Sequence, residues 1–361
     1  MIEPVRQLCL QRLKSTEDYE TAVRRHLMYF SQLAEKAKSH SGQERYQILH
    51  RLLVDRGNFD DAFTSGIHCG LVEESVKLAL SLHHCLRAGG DLRLSQLWME
   101  RIVSVAESVP APLMRQVNHA AAHTAYGMRN YGLAAERWTA CLDISRQENR
   151  SDWATADSAN LAMALMFMNE YLRARQLFDV AIIGFRECNN LRALARTLGN
   201  IALLCEREGD LPEATTHYNE AINLFRQIRD IPSTALGLNN LTSFHIQNSN
   251  YHEAHRALVE AVRLNRHPEN PELFVQSVLS FALLTRAYGD PERAMYGYGA
   301  ADALMDAFDL PGHPESLQTF DQERAILLEC LGQEQYDACY RAGNTVTSEE
   351  LYCVLDGCDL P

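Results

Sequence analysis

Alanine recurs every 40 residues through the middle of the chain, at Ala134, Ala174, Ala214, Ala254 and Ala294. Four residues after each stands a large side chain: Trp138, Phe178, Tyr218, Leu258 and Tyr298. Seven residues after each stands a small one: Cys141, Ala181, Ala221, Ala261 and Ala301. Three residues before each lie Tyr131, Tyr171, Leu211, Tyr251 and Pro291. Upstream, Ala121, Leu161, Ile201, Leu241 and Phe281 keep the same period, each followed by a small residue (Ala122, Ala162, Ala202, Thr242, Ala282). The i, i+4, i+7 spacing marks one face of a helix. A fixed period of this length marks a solenoid, whose units bury their apolar faces only against their neighbours. Small residues let two antiparallel helices approach, and the large residue fills the gap to the next pair. A weaker sixth copy around Asp91, Ser95 and Met99 sits one residue out of step.

The A-x-x-x-F spacing resembles the tetratricopeptide (TPR) pattern. The expected fold is therefore all-α, a TPR-like α-solenoid of antiparallel helix pairs stacked as a right-handed superhelix. Its 40-residue period exceeds that family's usual length of about 34, so the helices or their connections must be extended. Strand signals are nearly absent, and the one Asp-Gly pair, Asp356-Gly357, does not stand between two alternating apolar runs as a hairpin turn does. Pro212 and Pro291 fall at helix starts, where a missing N–H costs nothing, while Pro110, Pro112, Pro268, Pro271, Pro311 and Pro314 cluster in short breaks. Asp210 and Asn250, with Glu213 and Glu253 three residues on, resemble capping boxes. Three regions follow: residues 1–90, an N-terminal helical region with helices around Ala22 to Lys38 and Ser75 to Arg87; residues 91–305, the repeat array; and residues 306–361, a C-terminal helical cap.

Composition narrows the function classes. A net charge of −13 argues against direct nucleic-acid binding, which needs clustered Lys and Arg. The ten cysteines (Cys9, Cys69, Cys85, Cys141, Cys188, Cys205, Cys330, Cys339, Cys353, Cys358) form no CxxC pair and read as reduced thiols. The longest uncharged apolar run, Ala159 to Met168, is too short to span a membrane. The N-terminus MIEPVRQLCLQRLK, with an amphipathic start at Val5, Leu8 and Leu13, lacks the apolar stretch of a secretory signal. A cytoplasmic location and no membrane partner are the expectation.

Both flanks carry a resemblance. MIEPVRQLCLQRL, AVRRHLMYFSQLAEKA and NFDDAF are similar to the segments that follow the nucleotide-binding and winged-helix regions of bacterial STAND-type regulatory ATPases. PERAMYGYGAADALMDAF through ERAILLECLGQEQYDACYRAGNTVTSEELYCVL resembles the tail that closes their repeat arrays. The resemblance implies a sensor arm that binds an inducer or partner protein and controls an ATPase. No G-x-x-x-x-G-K-[ST] phosphate loop occurs, so the ATPase activity itself is not implied, and neither is a nucleotide cofactor. An autonomous TPR peptide receptor or adaptor is the second reading.

No catalytic constellation and no metal site stand out. Gly297 and Gly299 make a GxG, but in mid-helix, where small packing residues are expected. His119 and His123 share a helical face without a carboxylate or cysteine at useful spacing. His252-Glu253-Ala254-His255 lacks the two intervening residues of H-E-x-x-H. The expectation is a non-enzyme without cofactor.

Binding is the function left, and the candidates lie on the first helix of each repeat. Asn160, Asn200 and Asn240 form a column of the 40-residue period. In TPR proteins that bind extended peptides, an asparagine at the corresponding place faces the concave groove, and an amide can donate to and accept from a peptide backbone at once. His119, His123, Met163, Phe167, Arg196, Arg207, Asn239, Ser243, Gln247 and Arg286 are expected on the same face. Arginines there favour a protein or peptide partner with an acidic group. The alternative is that the asparagines only tie neighbouring helices together.

Overall fold

A computed structural model describes residues 8, 11–39, 54–88, 92–104, 109–265, 271–308, 310 and 314–356. Val5, Cys9, Asp91, Pro268, Pro311, Cys358 and the side chain of Cys85 lie outside the described residues. Among those described, no strand occurs. The helices are α1 (Tyr19–Ser39), α2 (Arg56–His68), α3 (Val72–Ala88), α4 (Leu92–Val103), α5 (Ala111–Gly127), α6 (Tyr131–Gln147), α7 (Ser151–Phe167) and α8 (Tyr171–Glu187). They continue as α9 (Leu191–Glu208), α10 (Leu211–Gln227), α11 (Ile231–Gln247), α12 (Tyr251–Leu264), α13 (Pro271–Ala287), α14 (Pro291–Ala307), α15 (Pro314–Asn344) and α16 (Ser348–Asp356). Two helical segments make up α15, and they meet at Gly332, whose φ of 72° and ψ of 161° are not helical.

The long period resides in the helices. α5 to α8, α10, α11, α13 and α14 are each 17 residues, about 25 Å long at 1.5 Å per residue. Tight turns join them, and each holds one left-handed residue. These fall 20 apart, at Arg129, Asn149, Asn169, Asn189, Gly209, Arg229 and Ser249, and again at Gly289. The following N–H reaches back to close the helix, as from Asn130 to Ala125 O (2.8 Å) and from Asp210 to Cys205 O (2.8 Å). That is the Schellman arrangement. The same residue then caps the next helix: Asn130, Asn190, Asp210, Asp230 and Asp290 accept from the N–H three residues on. Asn250 makes no such side-chain bond, so only the first of the two expected capping boxes has its cap.

The columns of the repeat are the core. Ala134, Ala174, Ala214, Ala254 and Ala294 have no exposed surface, and the large and small columns after them are buried. Phenylalanine at such an alanine overpacks its hairpin. Ala214→Phe is expected to cost about 1–3 kcal/mol, read as a lower urea midpoint with an unchanged m-value.

The chain divides into two compact units, Met1–Gly184 and Phe185–Pro361. In the first, α1, α2 and α3 pack on one another, and α3, α4 and α5 continue the layer over a core of Leu27, Phe30, Phe59, Phe63, Trp98 and Met99. α5, α6 and α7 follow as a helical meander. In the second, α9 to α14 pack each against the next, α11 also touches α13, and α16 closes on α12. Gly297 and Gly299 are packing residues here: a Cβ on Gly299 would run into the Tyr340 carbonyl, and one on Gly297 would meet Ala282 at 2.9 Å.

Candidate functional site

In the first unit, the candidates from α5 and α7 meet. His119 and His123 lie one turn apart with ring centroids 4.4 Å from each other, and His119 Nε2 is 3.5 Å from the Asn160 amide nitrogen. Below them, Trp138 of α6 receives His123 edge-on at 5.3 Å and Tyr126 at 5.8 Å. Phe167, at the end of α7, stacks on Tyr131 (4.8 Å, 14° between planes) and meets Tyr126 at 5.7 Å. Met163 of α7 is half-buried. The result is an aromatic floor carrying two imidazoles and one amide. It offers donors and acceptors over π-faces, which suits a polypeptide with an apolar or aromatic side chain.

Sequence reasoning misses that floor. Trp138 and Tyr131 read only as repeat columns and Tyr126 has no column at all, because helical periodicity does not say which rings from different helices converge. It also misses the brace beneath. Arg115 of α5 donates Nε and Nη2 to the Asp157 carboxylate of α7 (2.9 and 2.7 Å), and Ser145 of α6 donates to the same carboxylate (2.6 Å). The Arg115 guanidinium lies 4.7 Å from the Trp153 ring centre. Cys141 is buried beside this network, and burial, then the Asp157 charge, push its thiol far above the ordinary range. That is the opposite of the thiolate activation a nucleophile needs.

In the second unit, Arg196, Asn200 and Arg207 lie on α9, and Asn240, Ser243 and Gln247 on α11. Arg196, Arg207, Asn240 and Gln247 are exposed, and Asn200 is half-buried. No described residue hydrogen-bonds the Asn200 or Asn240 amide, so neither ties helices together. Leu236, one turn before Asn240, is 42% exposed and Leu203 half-buried; they add apolar surface to the two helices. Ser243 donates to the Asn239 carbonyl of its own helix (3.2 Å).

Two expected members are corrected. Asn239 is fully buried: its amide donates to Leu273 O (3.2 Å) and accepts from Ser277 (3.0 Å), joining α11 to α13. Asn239 and Asn240 are adjacent, and the helical step of about 100° between them sends one amide into the core and the other to solvent. Arg286 ion-pairs with Glu323 of α15, so its charge is already answered within the chain.

A separate cleft of about 580 Å3 lies in the first unit between α1 and α3, with Gln116 at its edge. Within it Arg24 pairs with Glu74 (2.8 Å), while Lys77 pairs with Glu73 (2.6 Å) outside its lining. No described helix is long and apolar enough to cross a membrane, and none of the seven described cysteines forms a disulfide.

The chain matches the tetratricopeptide repeat family over residues 152–227 and 193–267. No curated protein matches it. Among solved structures, it resembles a Rap protein complexed with Competence and Sporulation Factor: 13% identity, TM-score 0.58, covering 93% of this chain and 99% of that one. It also resembles the Rap conjugation gene regulator of the plasmid pLS20 in complex with the Phr* peptide: 15% identity, TM-score 0.52, covering 87% and 98%. A third likeness, to a STAND protein with a tetratricopeptide repeat sensor from Pyrococcus horikoshii, has 11% identity and a TM-score of 0.49, covering 90% of this chain and 55% of that one. The family match, the likeness to the first Rap protein and the buried repeat columns make the fold a TPR-like α-solenoid.

Proposed function

We propose that this chain is a non-catalytic binding scaffold in the cytoplasm that senses a peptide or protein partner. The observation that carries the reading is the pair of amides on α9 and α11, Asn200 and Asn240, that no helix uses, flanked on α9 by the exposed Arg196 and Arg207. A polar side chain with both hydrogen-bonding functions open, beside a guanidinium, suits an extended backbone bearing an acidic group. Asn160, with His119 and His123, offers the same chemistry in the first unit. Peptide or factor complexes are what the two Rap structures describe of those proteins, and the likeness of fold to them supports the reading.

The flank resemblance favours a sensing arm of a STAND-type regulator, with residues 91–305 as the array and 1–90 and 306–361 as its end elements. An upstream reading frame that continues into a phosphate loop would support that form. The alternative is an autonomous peptide receptor or adaptor, a reading that the likeness of fold to the two Rap structures supports equally.

The test is a peptide selected from a random display library on the intact chain, then measured by fluorescence anisotropy. Asn200→Ala with Arg207→Ala is expected to weaken binding about tenfold or more, since a neutral hydrogen bond contributes about 0.5–1.5 kcal/mol and one to a charged group about 1.5–3. Helical content should be unchanged. Normal binding with an early melt would make these residues stack-forming groups instead.

A further inference from the structure

One repeat holds a combination of three residues that no other copy has, at places that meet in space. Cys205 lies in the last turn of α9, Glu213 in the first turn of α10, and His217 one turn further on. The Cys205 thiol donates to Glu213 Oε2 at 3.3 Å, and Glu213 Oε1 is 3.7 Å from His217 Nε2. One ligand atom from each residue lies within 4.8 Å of the other two.

The 40-residue period supplies an internal control. At the place of Cys205 the other copies hold Ala125, Leu165, His245 and Thr285; at that of Glu213, Leu133, Arg173, Glu253 and Arg293. At that of His217 they hold Arg137, Leu177, Ala257 and Gly297. The hairpin therefore closes without these three residue types together, and packing does not demand the set. His217 turns Nε2 toward Glu213, and its other ring nitrogen, Nδ1, is buried with no partner among the described residues.

We propose that Cys205, Glu213 and His217 form a three-ligand site for a late first-row divalent cation, zinc or cobalt(II). The donor set selects the metal: one sulfur, one imidazole nitrogen and one carboxylate oxygen suit zinc, whereas calcium and magnesium take oxygen. The spacing fits as well. A metal about 2.3 Å from sulfur and about 2.0 Å from nitrogen and oxygen, at tetrahedral angles, sets its ligands about 3.3–3.5 Å apart. The observed separations, 3.3 Å from Cys205 to Oε2 of Glu213 and 3.7 Å from its Oε1 to His217, involve different carboxylate oxygens, so a turn of the carboxylate brings one oxygen toward both neighbours. Cys205 is fully buried, while the side chains of Glu213 and His217 are 37% and 21% exposed, so a fourth, solvent ligand enters from their side. Binding displaces the thiol proton to solvent, so affinity rises with pH. The bound ion would staple the end of α9 to the start of α10. Ligand-spacing motifs do not reveal the set, because Cys205 and Glu213 stand on two helices with a turn between them.

The test uses the intact chain, reduced and stripped of metal with a chelator, then titrated with cobalt(II). One equivalent should give a sulfur-to-cobalt charge-transfer band with visible bands of tetrahedral intensity, both displaced by zinc. Cys205→Ser should remove the charge-transfer band. His217→Gln, at a partly exposed position that leaves the fold intact by circular dichroism, should weaken cobalt affinity by at least about tenfold. Zinc should raise the Tm of the parent and not of His217→Gln. Absence of a tetrahedral spectrum at one equivalent, or a spectrum and affinity unchanged in His217→Gln, overturns the site.

Discussion

Asp157→Ala is expected to destabilise the protein by about 3–5 kcal/mol, as loss of one partner from a buried ion pair does. The Asp157 side chain has no exposed surface and that of Arg115 has 13%. Two guanidinium bonds and the Ser145 hydroxyl converge on one carboxylate, so a single side chain joins α5, α6 and α7. With the carboxylate gone, the guanidinium stays where water reaches it poorly, held against Trp153. Most of the cost is that stranded charge rather than the lost attraction. Removing both charges discriminates: Arg115→Met with Asp157→Leu should lose much less than Asp157→Ala alone. Urea denaturation of the three proteins measures it, and a double variant as unstable as the single one would mean that the network acts through shape, not charge.

Trp138→Ala is expected to cost about 3–5 kcal/mol, the usual range for a fully buried aromatic. The indole fills the large column of its repeat and is also the floor on which His123 and Tyr126 rest. Stability and the candidate binding surface should therefore fail together. Trp138→Phe should be far milder. It keeps much of the volume and removes an indole N–H that is buried without a partner among the described residues. Equal losses for the two substitutions, by urea midpoint, would show that the position tolerates no ring smaller than indole.

The period and chemistry of the chain already determined the helices, their pairing order and their core. A 40-residue recurrence of alanine with a large residue four places on can be buried only by stacking hairpins, and each of those alanines is buried. Asp210 and Pro212 marked the start of α10 through local backbone chemistry alone. Local chemistry was also enough to judge Gly297 and Gly299 as packing residues.

What periodicity could not carry was the direction and company of individual side chains. Asn239 and Asn240 read alike, yet one joins α11 to α13 and the other faces solvent, because helix rotation and the neighbouring helix decide which amide finds a partner. Arg286 reads as available for a ligand until α15 brings Glu323 beside it. Arg115 and Asp157, 42 residues apart, and Cys205 with His217, on successive helices, become single chemical groups only when hairpins close. Sequence spacing records which face of its own helix a residue occupies; only packing brings faces from different helices together, and the candidate sites of this protein lie where they meet.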